Sequence, residues 1–342
     1  MLRINNFKYT KNAIIAPKSK AIPDVLCKYY SISDNSLNAL LNNYLFAPHP
    51  MQLNDIKDSK AVLYELKYRP ELSIYEEFKC SQLFDGDLKL QGKNFKQYFW
   101  RTQSVLMGIV SLTTSELNDL MWPHYTNENG FTITFDTQKL ISSLKSKNEF
   151  KTFTFAPVNY VKQVCQASIT PTLDNIKAAN YYMSNVKNSS WKYEDEWRLF
   201  VSADGMQPPY KHYYYPDFKF TTLEDSLEKR KLYYNPEDCI KRIVWGSEFI
   251  STIAEDKGFI DDWKRYKLKK EDEQLLDVFR YISENYSNNF YISSLHRKKN
   301  RINIIKRIAN VFRNEIEGVG IERAIDKFNI KVNGNYILVK KE

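Results

Sequence analysis

Glycine is scarce in this chain, at 10 of 342 residues. No G-x-G-x-x-G and no G-x-x-x-x-G-K run occurs, so the two common glycine-built phosphate cradles are excluded. Cysteine is sparser still: Cys27, Cys80, Cys165 and Cys239 lie far apart and form no C-x-x-C pair. That spacing argues against a zinc site and against a disulfide framework, and points to reduced, buried thiols. No stretch approaches the ~18 apolar residues a membrane-crossing helix needs. No basic start, apolar run and small-residue cleavage site marks the N-terminal segment. The expectation is a cytoplasmic protein with no membrane partner and no metal.

Apolar residues and aromatics are plentiful. Hydrophobic residues make up 43% of the chain and aromatics 15%, with 24 Tyr and 20 Phe. This is enough apolar material for one large domain, or for a large domain and a small one. The formal net charge is +9. Such a balance favours anionic partners, nucleotides or nucleic acid among them, although solubility alone also explains it.

Hydrophobic periodicity predicts an α+β protein with a mixed or antiparallel sheet core flanked by helices. Strands are expected at Val25–Tyr30, Tyr44–Ala47, Val105–Leu112, Phe131–Phe135, Phe153–Val164, Trp197–Val201 and Cys239–Trp245. Helices are expected at Asn35–Asn43, Ser115–Trp122 (stopped by Pro123), Thr137–Lys147 and Leu173–Val186. Residues 1–24 look like a loose arm and residues 25–263 form the core domain. A charged, linker-like stretch from Lys264 to Glu273 opens a basic module over 264–342. Helices at Gln274–Glu284, Arg301–Ile316 and Ile321–Phe328, then a hairpin turning on Asn333-Gly334, resemble a winged helix.

The densest chemistry lies in Trp191-Lys-Tyr-Glu-Asp-Glu-Trp-Arg-Leu199. Strand alternation would put Glu194 and Glu196 on one face, where aromatic walls and mutual repulsion push their pKa values apart. The bland alternative is a strand end in which Arg198 or Lys192 pairs the acids. Ser111 and Thr113 end the apolar run before them. Trp122, His124 and Tyr125 offer a base or ligand contact, although a lone histidine is more often a packing residue. Asn54 and Asp55 sit in an irregular segment that Asx-turn chemistry also explains. Lys28 and Tyr29 end the first strand, where the lysine would meet a phosphate and the tyrosine stack on a base or nicotinamide, with an ordinary strand-edge lysine as the bland alternative. A separate basic run, Arg297, Lys298, Lys299, Arg301, Lys306 and Arg307, reads as a helical nucleic-acid face or as a solvated helix.

Taken in order, Cys27-Lys-Tyr29, Leu45-Phe-Ala47, Leu53-Asn-Asp55, Ser111-Leu-Thr113, Met121-Trp-x-His-Tyr125 and Trp191-x-x-Glu-x-Glu-Trp-Arg-Leu199 resemble the bacterial domain-of-unknown-function 2971 family, over roughly Val25–Gly246. Asn54-Asp-Ile-Lys-Asp58 departs from it where the family has a proline and an aromatic. The family name carries no activity. A weaker likeness is to ADP-ribosyltransferases, including DNA-modifying toxins. It implies NAD as substrate, Lys28 or Tyr29 and Ser111 with Thr113 at the ribose, and Glu196 with Glu194 as the catalytic acids. Asn54, Asp55, Trp122, His124, Tyr125, Trp191 and Arg198 would complete the binding set. The implied biology is a toxin or anti-phage defence effector acting on or near nucleic acid. The competing expectation is a non-catalytic nucleic-acid-binding or regulatory protein.

Overall fold

A computed structural model describes residues 1–53, 63–67, 107–170, 172–203, 206, 227–269, 272–286, 290–300, 318–333 and 336–342. Its secondary structure is mixed, as the periodicity predicts. The chain divides into two compact units that alternate along the sequence. The first comprises Met1–Leu26, Asn42–Ser115 and Asp136–Cys239, and the second Cys27–Leu41, Glu116–Phe135 and Ile240–Glu342.

In the first unit, Glu196–Ser202 is the middle of three antiparallel strands, between Met107–Thr113 and Thr152–Pro157. Glu196 to Val201 are all buried. The side chains of Glu196, Arg198 and Phe200 share one face by alternation, and Trp197, Leu199 and Val201 share the other. Ile109, Ser111 and Thr113 lie opposite Phe200, Arg198 and Glu196 and therefore belong to the first face. That face meets the helix Leu173–Asn185, whose Tyr181 ring sits 5.6 Å from Phe200. Thr172 caps the helix by accepting from the Asn175 amide at 3.4 Å. Ile176, Ala179, Tyr182 and Met183 join Phe7, Tyr9, Ile109, Ala156 and Phe200 in one apolar cluster.

The first residues are not a loose arm. Leu2–Ile4, Phe7–Tyr9 and Ile14–Ile15 pair into a small antiparallel sheet. Segments of two or three residues are too short to show a period, so Phe7, Tyr9 and Ile14 gave no strand signal although all are buried. Three residues are also too few for alternation at Val186–Asn188, which pairs in parallel with Asn159–Val161 and sets Lys187 opposite Tyr160.

The second unit is a sheet in the order Ala254–Ile260, Trp263–Leu268, Tyr336–Lys341, Gly318–Asn333, Phe290–Asn300, Ile240–Trp245, Phe131–Asp136 and Val25–Tyr30. Phe290–Asn300 and Ile240–Trp245 run parallel, whereas the pairs from Ala254 to Asn300 are antiparallel. The helix Asp34–Leu41 starts at a reciprocal pair, Ser36 N to Ser33 Oγ at 3.2 Å and Ser33 N to Ser36 Oγ at 3.0 Å, a serine version of the capping box. Gly130 is required where it stands, because a Cβ there would lie 2.1 Å from the Tyr30 carbonyl oxygen.

Three expectations need correction here. Ser115–Trp122 is not a helix: the helix is Met121–Thr126 and contains Pro123 in its first turn. A proline is tolerated there because the first amides of a helix have no partner to lose. The expected linker is partly a strand, Trp263–Leu268, paired on both sides. Ile321–Phe328 is not a helix but part of the strand Gly318–Asn333, held along its length by Phe290–Asn300 and Tyr336–Lys341. Continuous pairing with Phe290–Asn300 overrides the helix preference of Glu322-Arg323-Ala324. The expected hairpin does form, with Asn333 opposite Tyr336. The expected helix Arg301–Ile316 lies outside the described residues.

The burial of Tyr9 makes the N-terminal sheet part of the fold rather than an appendage. Tyr9→Ala is expected to cost about 3–5 kcal/mol in urea unfolding, whereas an arm without structural weight would cost under about 0.5 kcal/mol.

Candidate functional site

The two acids of the tryptophan-rich motif meet, but not by alternation. Ser189–Glu194 forms a 3-10 helix started by Asn188, whose side chain accepts from the Ser190 amide at 2.9 Å. Asp195 then turns in the left-handed region, with φ of 40° and ψ of 51°, and Glu196 begins the strand. Two residues hold this turn from the neighbouring strand's end. Thr113 Oγ1 donates to the Glu194 carbonyl at 2.5 Å, and the Thr114 hydroxyl donates to the Asp195 carboxylate.

The turn delivers both carboxylates to one cation. Lys187 Nζ lies 2.5 Å from Glu194 Oε2 and 3.2 Å from Glu196 Oε2. Arg198 grips Glu196 with both sides of its guanidinium, Nε to Oε1 at 2.8 Å and Nη2 to Oε2 at 3.1 Å. Its remaining arm donates to the Ser184 carbonyl at 2.6 Å, near the C-terminus of the Leu173–Asn185 helix, where the helix dipole favours a cation. The Glu196 amide donates to Tyr160 Oη at 2.9 Å. Lys187, Glu194, Glu196 and Arg198 are 7%, 2%, 6% and 1% exposed. Two positive and two negative charges are thus buried together.

Charge explains the ionisation. Burial opposes ionisation of Glu196, but Arg198 and Lys187 outweigh it, with help from hydrogen bonds of Arg198 and Ser111, and hold the carboxyl down to about 2. Burial likewise works against the Lys187 ammonium, yet Glu196 and Glu194 raise its pKa, so it stays charged. Burial, then the Glu196 charge, drives the Tyr160 hydroxyl far up. The Lys187 ammonium also lies 5.0 Å from the centre of the half-buried Trp191 ring, and Tyr193, also half-buried, is 6.0 Å from that ring.

Of the expected site residues, Ser111, Thr113, Trp191, Glu194, Glu196 and Arg198 come together in the first unit. Trp197 serves in packing: it faces away from the acids and stacks on Phe155 at 5.0 Å. Lys192 does not pair the acids, and is exposed. Lys187 and Tyr160 were missed, because their positions depend on a parallel strand pair invisible in the sequence.

Lys28, Tyr29, Trp122, His124 and Tyr125 belong to the second unit. Tyr29 points inward and donates to the Glu116 carbonyl at 2.8 Å, with Trp122 edge-on at 5.4 Å. Trp122 is fully buried and its Nε1 donates to the same carbonyl at 2.8 Å. His124 is exposed and meets the Tyr125 ring edge-on at 4.9 Å. The Lys28 ammonium sits 5.3 Å from the Tyr30 ring. A further buried carboxylate, Glu116, was not anticipated: it takes the Thr134 hydroxyl and both arms of Arg242. Arg323 binds Asp119 at 3.0 Å and Glu128 at 2.6 Å. Asn54, Asp55, Arg301, Lys306 and Arg307 lie outside the described residues. Arg297, Lys298 and Lys299 are on the strand Phe290–Asn300, not on a helix. Among the described residues no group of three or more His, Cys, Asp and Glu is placed to hold a metal, and no helix is long and apolar enough to cross a membrane.

Residues 121–199 match the model of a family described as protein of unknown function (DUF2971). The match takes in the Met121–Tyr125 and Trp191–Leu199 motifs and is shorter than the Val25–Gly246 span that the ordered motifs suggest. No curated protein and no solved structure matches the chain.

The charge balance of the cluster leads to two expectations. Lys187→Met leaves two buried carboxylates against one guanidinium and should cost about 3–5 kcal/mol. The Lys187→Met, Glu194→Gln double variant restores neutrality and should recover a large part of that loss in urea unfolding. Additive losses would show that the four charges do not act together. Because the folded Glu196 pKa lies below its ordinary value of 4.5, its stabilisation is full above that pH and is lost as pH falls toward about 2. Glu196→Gln should flatten that part of the stability–pH curve.

Proposed function

We propose that the first unit is an NAD-consuming transferase of the ADP-ribosyltransferase type, acting as a toxin or anti-phage defence effector. One observation carries this reading: Glu196 is kept ionised in a water-poor site, on the strand face it shares with Ser111, while Trp191 and Tyr193 leave aromatic surface accessible beside Lys187.

The chemistry requires such a carboxylate. The bond between nicotinamide and ribose C1′ breaks heterolytically, and the electron pair leaves with nicotinamide. The ribose passes through an oxocarbenium-like state, which an ionised carboxylate stabilises most where water is excluded. An acceptor nucleophile then bonds to C1′ and releases its proton. Both Glu196 oxygens are engaged in the free protein. The contact to Lys187, at 3.2 Å, is longer than either contact to Arg198. A ribose hydroxyl displaces that contact, and Lys187 keeps its 2.5 Å bond to Glu194. Arg198 continues to hold the Glu196 carboxylate, and Trp191 stacks on the leaving nicotinamide.

Nicotinamide release from NAD by the full-length protein, followed chromatographically with candidate acceptors, tests this reading. Glu196→Gln should lower the rate by about a hundredfold or more, with the fold checked by circular dichroism. Trp191→Ala, on the partly exposed wall, should raise KM more than it lowers kcat. Wild-type protein that turns over no NAD with any acceptor, or growth inhibition unchanged by Glu196→Gln, would sink the proposal.

A further inference from the structure

The sheet of the second unit has two unlike faces. Ile330, Ile337 and Val339 are buried on one of them, the face on which Lys264 lies opposite Val339 and Tyr266 opposite Ile337. The strand Gly318–Asn333 packs against the helix Glu273–Asn285, whose Leu275, Leu276, Val278, Phe279 and Ile282 are buried.

The residues between them in each strand face the other way. Register places Arg265 opposite Leu338 and Lys267 opposite Tyr336, and Lys331 opposite Leu338 from the far side. Trp263 shares the parity of Arg265 and Lys267. One face of three adjacent strands therefore presents Trp263, Arg265, Lys267, Lys331, Tyr336 and Leu338. Lys267 and Lys331 are exposed and the other four half-exposed. Cations and rings interleave: the Lys331 ammonium is 4.5 Å from the Trp263 ring centre, and the Arg265 guanidinium is 5.1 Å from that of Tyr336. Other lysines of the second unit are neutralised in place, Lys340 by Asp262 and Lys327 by Glu342. Among the described residues, Arg265, Lys267 and Lys331 have no carboxylate within ion-pair distance.

We propose that this face binds single-stranded nucleic acid. Three cations outside any ion pair, Lys267 among them although Glu255 stands opposite it, attract a phosphate backbone, and two half-exposed rings offer stacking surfaces to unpaired bases. A duplex hides its base faces, so the rings would contribute nothing to it. The site is separate from the basic run Arg297–Lys299 and does not rest on NAD chemistry. A base stacks on Trp263 by displacing the Lys331 ammonium, which swings to the adjacent phosphate, while the planar Arg265 guanidinium sandwiches a second base near Tyr336.

Fluorescence anisotropy of the full-length protein with a labelled oligouridylate of about 20 nucleotides tests the proposal. Binding at about 50 mM salt should weaken markedly by about 200 mM. Arg265→Gln, Lys267→Gln and Lys331→Gln together should weaken it about tenfold or more. Lys331→Glu alone, at an exposed position that leaves the fold intact, should weaken it several-fold. Binding should quench Trp263 fluorescence, and Glu196→Gln should leave affinity unchanged. The proposal falls if no binding appears at low salt, if the triple and Lys331→Glu variants bind like wild type, or if a duplex of the same length binds as tightly. It falls equally if Arg297→Gln, Lys298→Gln and Lys299→Gln abolish binding while the sheet variants do not.

Discussion

Four charges removed from water at one point organise the first unit. Each of Lys187, Glu194, Glu196 and Arg198 would be strongly disfavoured there alone, because desolvating an ion costs several kcal/mol even after relaxation. Together they sum to zero, and short hydrogen bonds take up the exposed lone pairs and protons. The cluster joins pieces that are otherwise weakly connected: a 3-10 turn, the start of the central strand, the C-terminus of the Leu173–Asn185 helix and the short parallel pair at Tyr160 and Lys187. Misplacing any of these leaves a charge without its partner.

The backbone is shaped to serve that point. A regular strand from Glu194 onward would also put Glu194 and Glu196 on one face, but about 7 Å apart along the strand. The left-handed Asp195 closes the distance so that a single ammonium reaches both carboxylates. Left-handed backbone is unfavourable for a residue with a Cβ and least so for Asn and Asp. Asp195 is held in it by Thr114, and the adjacent Glu194 carbonyl by Thr113. Thr113 therefore holds the turn by its backbone and Thr114 by the Asp195 side chain, while Ser111 hydrogen-bonds the Glu196 carboxylate.

The second unit separates its tasks by strand alternation. One face of its sheet is apolar and packed, and the other carries rings and cations toward solvent. Its buried polar groups are a different network, Glu116 with Thr134 and Arg242, and Arg323 with Asp119 and Glu128. Arg323 shows why pairing prevailed over helix preference in Ile321–Phe328. From the strand its guanidinium reaches both acids and also lies over Trp122.

Local pattern alone determined a good deal. The strands at Val25–Tyr30 and Glu196–Ser202 and the helices Thr137–Lys147 and Leu173–Asn185 follow from period and capping residues, since those signals lie within a few neighbours of each element. The acidic motif was equally visible, and so was the likelihood that its two glutamates would act together. What closed around them was not visible: Lys187 and Tyr160 are brought in by a pairing between segments far apart in sequence. Tertiary pairing likewise made a strand of Ile321–Phe328 and a small sheet of the first residues. Local sequence sets what each segment prefers, whereas the ion partners and sheet neighbours that decide the site come from contacts that exist only once the chain has folded.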